Sequence, residues 1–353
     1  MKSKRIISGI QSSGRLHLGN YLGSISNFVK LQDFYETYLF VADLHAITVD
    51  FDPSIIYKNK LEIASTYLAS GLDPNKVNIF IQSEIYEHAM LGYILMCHTN
   101  LGELERMTQY KNKLENESLK QSNNTIKIPT GLLVYPTLMA ADILLYQPNL
   151  VPVGADQKQH IELTRDIALR FNKKYGETFI IPEPLIPKSG SKIMDLTDPK
   201  KKMSKSSKNS KGIIYLDDSI DEITEKIKIA KTDSFNKVKY NLIEQPSISN
   251  LMTIYLCSIN DPINEKLRNE MFKKNEDVTY EDIEVKYNNH DYRIFKIDLT
   301  KIVSSLIQTI QNRKREYMNN HIEEVLKMGK EKAKLIAKET LGNVYEKIGF
   351  TSK

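Results

Sequence analysis

The sequence predicts an α/β fold in which a domain with a parallel sheet precedes a smaller α-helical domain. Up to residue 182, short apolar runs alternate with segments of helical periodicity, whereas from residue 210 onward apolar residues recur at helical spacing among many lysines. The alternation is typical of a parallel sheet covered by helices on both faces. The chain has 353 residues, enough for both domains, which we place at residues 1–208 and 209–353.

Five strands are predicted in the first domain, each a short apolar run. They cover residues 5–7, 38–43, 78–82, 150–154 and 178–182. Asp52 and Pro53 are typical of a helix start and Gly71 of its end. One helix is expected over residues 88–110, and an amphipathic helix over residues 159–171 that ends near Gly176.

Two further segments of the chain bear on how the domains are arranged. Residues 111–127 are polar, which predicts a mobile excursion at the surface of the first domain. Residues 333–348 form an amphipathic pattern at the end of the second domain, and this last helix is a candidate to pack back on the first.

The composition limits the compartment and the partners. The formal net charge of +5 permits a polyanionic partner without requiring one. Cys97 and Cys257 are far apart in sequence and form neither a metal-binding spacing nor a disulfide framework, which is typical of a reducing compartment. No apolar run is long enough for a membrane span. We expect a cytoplasmic protein without a membrane anchor.

The first candidate site is the glycine-rich segment at residues 8–21, between the first strand and the following helix. Such a turn presents backbone N–H groups and the positive end of a helix to an anion, usually a phosphate. His17 and Asn20, one helical turn apart, add polar side chains to the same space. The alternative is a helix start that uses glycine and serine only for turn geometry.

The second candidate site is the run of three lysines, methionine, serine, lysine and serine at residues 200–206. Lysines on a serine-rich loop are suited to holding a polyphosphate, because the ammonium groups act as mobile point charges and the hydroxyls donate to phosphate oxygens. The alternative is a solvated run of charges.

Together the two segments resemble the signature motifs of the class I aminoacyl-tRNA synthetases. His-Leu-Gly-Asn at residues 17–20 is similar to the HIGH-type motif, with Asn20 in place of the second histidine, and residues 202–206 are similar to the KMSKS motif. Nearly the whole chain resembles the bacterial-type tryptophanyl-tRNA synthetases, although Ser12 stands where that family usually has proline. The matching stretches are residues 8–23, 43–48, 102–109, 138–146, 151–172 and 202–206.

The resemblance implies a Rossmann-like catalytic domain, a C-terminal domain that binds the tRNA anticodon, and a two-step reaction. L-Tryptophan and ATP would form tryptophanyl-adenylate and pyrophosphate, and tryptophan would then pass to tRNA(Trp). Mg²⁺ would be carried on the ATP phosphates, since the sequence shows no metal ligand set. The resemblance also implies a homodimer formed through residues 102–109 and the preceding helix; the alternative there is a solvated helix with Glu103 paired to Arg106.

The same resemblance assigns the ATP side of the site. Catalysis falls to His17, Lys202 and Lys205, because in-line attack at phosphorus depends on alignment and on stabilising the charge of the pyrophosphate leaving group. ATP binding falls to residues of both motifs and of a strand end: Gln11, Ser12, Ser13, Gly19, Asn20, Gly154, Ala155, Asp156, Ile193, Lys202, Met203, Ser204, Lys205 and Ser206. A purely structural alternative for residues 154–157 is a strand end followed by an N-capping Asp156.

Asp142 is the residue on which amino-acid specificity depends. It is an acid in a strongly apolar stretch, so its carboxylate needs partners. Taken alone it is a helix cap or a member of an internal ion pair, with His45 or Arg106 as candidates. The resemblance implies that it accepts the indole N–H, which would reject phenylalanine. The other implied tryptophan-binding residues are Tyr135, Gln157, Met139, His45, Ile143, Val151 and Val153.

Other readings remain open at this point. Tyrosyl-tRNA synthetases share the fold and both motifs, a small nucleotidyltransferase shares the first motif, and a synthetase-like paralogue could bind without catalysing. His160 is interpreted as structural. The basic cluster at residues 313–315 is weak evidence for a specific contact with tRNA.

Overall fold

A computed structural model describes residues 4–12, 14–48, 51–118, 128–154, 157–186, 192–204 and 209–351. A five-stranded parallel sheet forms the centre of the first domain, with the strand order β3-β2-β1-β4-β5. The strands are β1 (Arg5–Gln11), β2 (Glu36–Ala42), β3 (Val77–Ile81), β4 (Leu150–Pro152) and β5 (Glu183–Leu185). The predicted parallel α/β fold is confirmed.

Fifteen α-helices are present in the described part of the chain. Those of the first domain are α1 (Leu18–Asn20), α2 (Ser26–Leu31), α3 (Asp43–Ala46), α4 (Pro53–Ala69), α5 (Glu87–Met96), α6 (Leu101–Glu105), α7 (Thr108–Ser118), α8 (Thr130–Leu144) and α9 (Lys158–Tyr175). Those of the C-terminal region are α10 (Ile220–Ile229), α11 (Pro246–Ile259), α12 (Glu265–Phe272), α13 (Tyr280–Lys286), α14 (Tyr292–Asn320) and α15 (Ile322–Ile348). The helical character predicted for the C-terminal region is confirmed.

The position of the sheet's central strand determines where a ligand can bind. Strand β1 has β2 on one side and β4 on the other, so the chain connections diverge at its carboxyl end. In parallel α/β sheets, ligands bind in the crevice that forms at such a point. Gln11 ends β1 there, immediately before the glycine-rich turn. The sequence predicted a strand of only residues 5–7, so the strand takes in the first part of the first motif.

The prediction of a strand at residues 178–182 is wrong. The last strand is β5, Glu183–Leu185. The Asn172 side chain accepts hydrogen bonds from the backbone N–H groups of Thr178 and Phe179 at 3.1 and 2.9 Å, and Gln147 accepts one from Ile180 at 2.7 Å. Because these N–H groups are already bound by side chains, they do not join a strand ladder.

The single helix expected over residues 88–110 is replaced by α5, α6 and the start of α7. Asn100 breaks it, since its side chain and that of Glu103 form a capping box that starts α6. Helix α7 continues through Ser118, so the excursion predicted from residue 111 begins as a helix. The rest of that predicted excursion, residues 119–127, lies outside the described residues.

The C-terminal helices pack directly on the sheet domain. Helix α14 packs on α4, and α15 packs on β3 and α5. At Gly329 of α15, a Cβ atom would overlap the carbonyl group of Ile79 in β3, so glycine permits this close approach. The edge strand is therefore covered by the end of the chain. Within the described part of the chain, no helix combines the length and the apolar character needed to cross a membrane.

Candidate active site

The first motif forms a short loop whose side chains cap the helix that follows it. His17 is the N-cap of α1: its Nδ1 accepts a hydrogen bond from the Asn20 N–H at 3.2 Å, and Asn20 Oδ1 accepts one from the His17 N–H at 3.2 Å. These reciprocal bonds form a capping box that holds the two side chains at the start of the helix. Gln11 at the end of β1 is exposed, and Ser12 is buried with a hydroxyl that lacks a partner among the described residues.

The helix after the first motif contains a π-helical turn, Tyr21–Ile25. Such turns occur frequently at functional sites. Tyr21 is fully buried, and its hydroxyl donates a hydrogen bond of 2.9 Å to Asp261 Oδ2 in the helical region. Burial, more than any other influence, raises the pKa of Asp261 above its ordinary value. The first motif is thus joined to the C-terminal region by a buried polar contact.

The second motif begins on a small antiparallel hairpin. Met194 and Lys202 form a bridge, and the Met203 N–H donates to the Ile193 carbonyl at 2.9 Å. Ile193 and Met203 are buried, Ser204 is half-buried, and Lys202 is exposed to solvent. The Asn250 side chain of α11 holds the hairpin by bonding both the N–H and the carbonyl of Met194, at 2.8 and 3.0 Å.

The fold brings the two motifs together. The chain after the second motif pairs with the first: the Leu18 N–H donates to the Ile214 carbonyl at 2.8 Å, and the Leu216 N–H donates to the Leu16 carbonyl at 2.9 Å. Ile193 lies against Gly19, where a Cβ atom would be only 3.5 Å from that of Ile193. Ile193, a predicted ATP-binding residue, and the glycine-rich turn therefore lie side by side.

Strand β4 and the start of α9 form the other side of the crevice. Val151 is buried in the apolar core, whereas Val153 is partly exposed at its edge. Gln157 is the N-cap of α9, and its backbone N–H bonds the Gly154 carbonyl at 2.9 Å. The alternative in which Asp156 caps this helix falls on a residue outside the described ones. Five predicted site residues lie outside the described residues: Ser13, Ala155, Asp156, Lys205 and Ser206.

Asp142 lies on α8 at the centre of a buried polar cluster. Its Oδ1 accepts a hydrogen bond of 2.7 Å from Gln82 Nε2 and lies 2.6 Å from His88 Nδ1, and its Oδ2 lies 2.6 Å from His45 Nε2. Burial alone would raise the pKa of this carboxyl, but the charges and hydrogen bonds of His45 and His88 outweigh it and lower the pKa to about 2. The acid is therefore an ionised hydrogen-bond acceptor at neutral pH.

The chain matches the family model described as tRNA synthetases class I (W and Y) over residues 1–308. It is 52% identical over 318 residues to the tryptophan–tRNA ligase of Ureaplasma parvum serovar 3, a match that covers 90% of each chain. The tryptophanyl-tRNA synthetase structure from Mycoplasma pneumoniae aligns with a TM-score of 0.91 at 44% identity and covers 99% of both chains.

The chain belongs to the tryptophanyl-tRNA synthetases, within the class I tRNA synthetases. A further structure of this family, from Campylobacter jejuni and complexed with ADP and tryptophan, aligns with a TM-score of 0.74 at 31% identity and covers 98% of this chain and 99% of that one. The resemblance drawn from the two motifs and the intervening stretches is thus confirmed.

Two residues that contact Asp142 were missed from the sequence. Gln82 and His88 complete the cluster around Asp142, and the side-chain Oε1 of Gln82 accepts a hydrogen bond of 3.0 Å from the Leu44 N–H. Gln82 follows the end of β3, at the same sheet edge as the first motif, and that position was the available signal. Of the two internal partners considered for Asp142, His45 is the one in contact.

His160 makes a side-chain contact that the sequence did not predict. Its Nε2 lies 2.5 Å from the hydroxyl of Tyr135, a predicted tryptophan-binding residue whose pKa is raised by burial. The Tyr135 ring in turn packs edge-on against His45, with ring centroids 6.1 Å apart. Tyr135 is thus held between two histidines.

The predicted apolar walls differ in their access to a ligand. Ile143, like Val151, is packed within the core, whereas Met139 and Val153 are partly exposed at the core's edge. Met139 and Val153 are therefore the walls that a bound ring can contact first. The side chain of Asp142 is only 1% exposed, so its carboxylate is shielded from solvent.

Proposed function

We infer that the chain is a tryptophan–tRNA ligase that activates L-tryptophan with ATP and transfers it to tRNA(Trp). Full-length similarity to tryptophan–tRNA ligases supports this conclusion, because the alignments leave no part of the catalytic domain unmatched. The observation that carries it is the ionised carboxylate of Asp142, buried in the sheet domain whose first motif meets the second. Tyrosyl-tRNA synthetases share the fold, but this acceptor suits an indole N–H.

We propose that ATP lies in the crevice between the two motifs. His17, Asn20 and the backbone at Gly19 would hold its phosphates, with Gln11, Ser12 and Ser13 beside the nucleotide. Gly154, Ala155 and Asp156 would bind the ribose, and Ile193 with the KMSKS residues Met203, Ser204 and Ser206 would enclose the nucleotide from the other side.

The reaction that these residues serve is an in-line displacement at phosphorus. A tryptophan carboxylate oxygen attacks the α-phosphorus, the bond from that phosphorus to the bridging oxygen breaks, and pyrophosphate leaves with the electron pair. Lys202 and Lys205 would stabilise the negative charge that develops on the pyrophosphate. Lys202 is exposed on its hairpin, and we propose that it closes on the phosphates when ATP binds.

Tryptophan is proposed to lie between α8 and β4 with its indole N–H on Asp142. Met139 and Val153 would contact the ring, with Ile143 and Val151 behind them, and His45 would lie beside it. Tyr135 and Gln157 would bind the α-ammonium group. Phenylalanine would be rejected because its ring leaves a buried carboxylate without a partner for its remaining acceptor position.

Mg²⁺ is proposed to arrive on the ATP phosphates. The described residues contain no group of three or more His, Cys, Asp or Glu side chains that could hold a metal ion. Both cysteines are free thiols. We propose that the protein works in the cytoplasm, where its tRNA substrate is located.

The helical region is proposed to bind the anticodon end of the tRNA. Its densest basic cluster is residues 313–315. Lys314 in this cluster lies 3.4 Å from Glu62 in the sheet domain, and this ion pair partly neutralises the charge of the lysine. Arg313 and Arg315 are exposed and are better placed to contact phosphates.

A homodimer is proposed through the face of α5 and α6. Tyr86, Met90 and Tyr93 recur at helical spacing and are 57%, 42% and 63% exposed, and Leu101 is 60% exposed. Such a contiguous apolar face favours a protein interface. Glu103 does not pair with Arg106 as the solvated alternative requires; it forms a salt bridge of 2.5 Å with Arg170.

ATP–pyrophosphate exchange with tryptophan, tyrosine and phenylalanine in turn tests the inferred activity. We expect exchange with tryptophan alone, followed by transfer to tRNA(Trp). Exchange driven by tyrosine would assign the chain to the tyrosine branch, and no exchange with any of the three would identify a non-catalytic relative.

A further inference from the structure

His88 lies behind Asp142 and has no exposed surface. Its Nδ1 is 2.6 Å from Asp142 Oδ1, and its Nε2 is 2.8 Å from the hydroxyl of Tyr146. Its ring packs among three aromatic rings, with centroids 5.9 Å from Phe40, 6.1 Å from Phe80 and 5.5 Å from Tyr146. The histidine therefore has one orientation, and it touches the acceptor rather than the substrate.

Both ring nitrogens of His88 have hydrogen-bond partners. Asp142 is ionised and can only accept, so His88 Nδ1 carries a proton and donates it. The pKa of the Tyr146 hydroxyl is raised, chiefly by burial, and this hydroxyl lies 2.8 Å from His88 Nε2. A chain of hydrogen bonds thus links Tyr146, His88 and Asp142.

The cluster also determines which acceptor position of Asp142 is left for a ligand. A carboxylate offers about four lone-pair positions, two on each oxygen. Gln82 and His88 occupy both positions on Oδ1, and His45 occupies one on Oδ2. The remaining position is on Oδ2. Without His88, Oδ1 would regain a position and the carboxylate could rotate to present it.

We propose that His88, held in place by Tyr146, is a positioning residue that turns the remaining acceptor position of Asp142 toward the indole N–H of tryptophan. The histidine thereby contributes to selection for the N–H itself, beyond the shape of the ring. This proposal rests on the proposed function and assigns a part of the same site that the two signature motifs do not reveal.

The test uses a tryptophan analogue that keeps the ring shape but lacks the donor, β-(benzothiophen-3-yl)alanine, in which sulfur replaces the indole N–H. The kcat/KM for ATP–pyrophosphate exchange is measured with tryptophan and with the analogue, on the full chain. His88→Leu should reduce the preference for tryptophan at least about tenfold, because a hydrogen bond to a charged group is lost. The loss should appear in the KM for tryptophan, with the KM for ATP unchanged.

Two milder variants keep the test independent of folding. His88→Asn places an amide N–H where Nδ1 stands, and it should restore most of the preference. Tyr146→Phe removes only the hydroxyl that holds Nε2 of the ring, and it should lower the preference by about threefold, as expected for one hydrogen bond.

The chain offers a matched control in His98. Like His88, this histidine lies between an acceptor and a tyrosine, but its acceptor is a backbone carbonyl: Nδ1 is 2.8 Å from the Ile94 carbonyl and Nε2 is 3.0 Å from the Tyr175 hydroxyl. It does not contact Asp142 in the described structure. His98→Leu should therefore leave the preference for tryptophan over the analogue at the wild-type value.

The outcomes separate this inference from the proposed function. Equal losses with tryptophan and with the analogue in a folded His88→Leu variant would show a structural role only and would overturn the inference. An unchanged preference for tryptophan over the analogue in His88→Leu, His88→Asn and Tyr146→Phe would overturn the inference as well. A wild-type protein that exchanges with neither amino acid would instead overturn the proposed function.

Discussion

Asp142 and Lys202 lie on opposite sides of the proposed active site and are held in opposite ways. The side chain of Asp142 is 1% exposed and contacts three polar side chains, all from the sheet domain. Lys202 is exposed, on a hairpin that the helical region holds through Asn250. The contacts of Asp142 on the amino-acid side are therefore formed without a ligand. Lys202, on the nucleotide side, instead lies on a hairpin that is held by the helical region.

This difference indicates that amino-acid specificity and catalysis depend on different sides of the site. A preformed acceptor contributes equally to binding the substrate and the transition state, so its loss should appear mainly in KM. A cation that reaches phosphate only as the site closes should appear mainly in kcat. Variants on the two sides should therefore change different kinetic constants.

The largest effect is expected on the nucleotide side, for Lys202→Ala. Because the charge that stabilises the leaving pyrophosphate is lost, kcat for exchange should fall by about 10²- to 10³-fold, with little change in the KM for tryptophan. Lys201→Ala is the matched control: Lys201 is adjacent, its side chain is 78% exposed, and it pairs with Asp198. Comparable losses for both lysines would show a general effect of surface charge.

The next largest effect is expected for Asp142→Asn. The amide presents one acceptor in place of two, and its NH₂ group opposes the donors that surround it. The KM for tryptophan should rise about 10- to 100-fold, and discrimination against phenylalanine should fall. Steady-state exchange at varied tryptophan concentration measures both. An unchanged KM would contradict the role of Asp142, and Asp277→Asn, at an exposed carboxylate, supplies the control.

A smaller effect, on stability, is expected where the two regions are joined. Tyr21→Phe removes the hydroxyl that donates to the buried Asp261 carboxyl. The free energy of unfolding should fall by about 1–3 kcal/mol because a buried acceptor loses its partner. Urea unfolding measures this change. Tyr317→Phe, at a less buried tyrosine of α14, is the comparison and should change stability by less.

The smallest effect concerns pH. The pKa of Asp142 is lowered to about 2 in the folded protein, against about 3.9 in unfolded chains. Its contribution to stability is therefore complete above about pH 4 and is lost as the pH falls toward 2; at pH 3 about 1 kcal/mol should be gone. The wild-type protein and Asp142→Asn should differ in unfolding free energy by correspondingly less at pH 3 than at pH 6. A pH-independent difference would contradict an ionised Asp142.

The two regions also differ in how far the sequence predicted them. Strands β1 to β4 and both motifs were found because buried strands are short apolar runs and phosphate-binding turns have local signatures. Gln82 and His88 were not found, because they are 60 and 54 residues away from Asp142 in sequence and neither belongs to a local pattern. The same holds for Asn172, whose side chain captures two backbone N–H groups and so removes a predicted strand. Contacts between distant side chains needed the structure.

A crystal structure with bound tryptophan tests the central claim, that Asp142 is the preformed acceptor for the indole N–H. We predict that the indole nitrogen lies within about 3 Å of Asp142 Oδ2, with Gln82 and His88 still bound to Oδ1. An indole nitrogen directed at a backbone carbonyl or at solvent, with Asp142 bound only by Gln82, His45 and His88, would contradict the account.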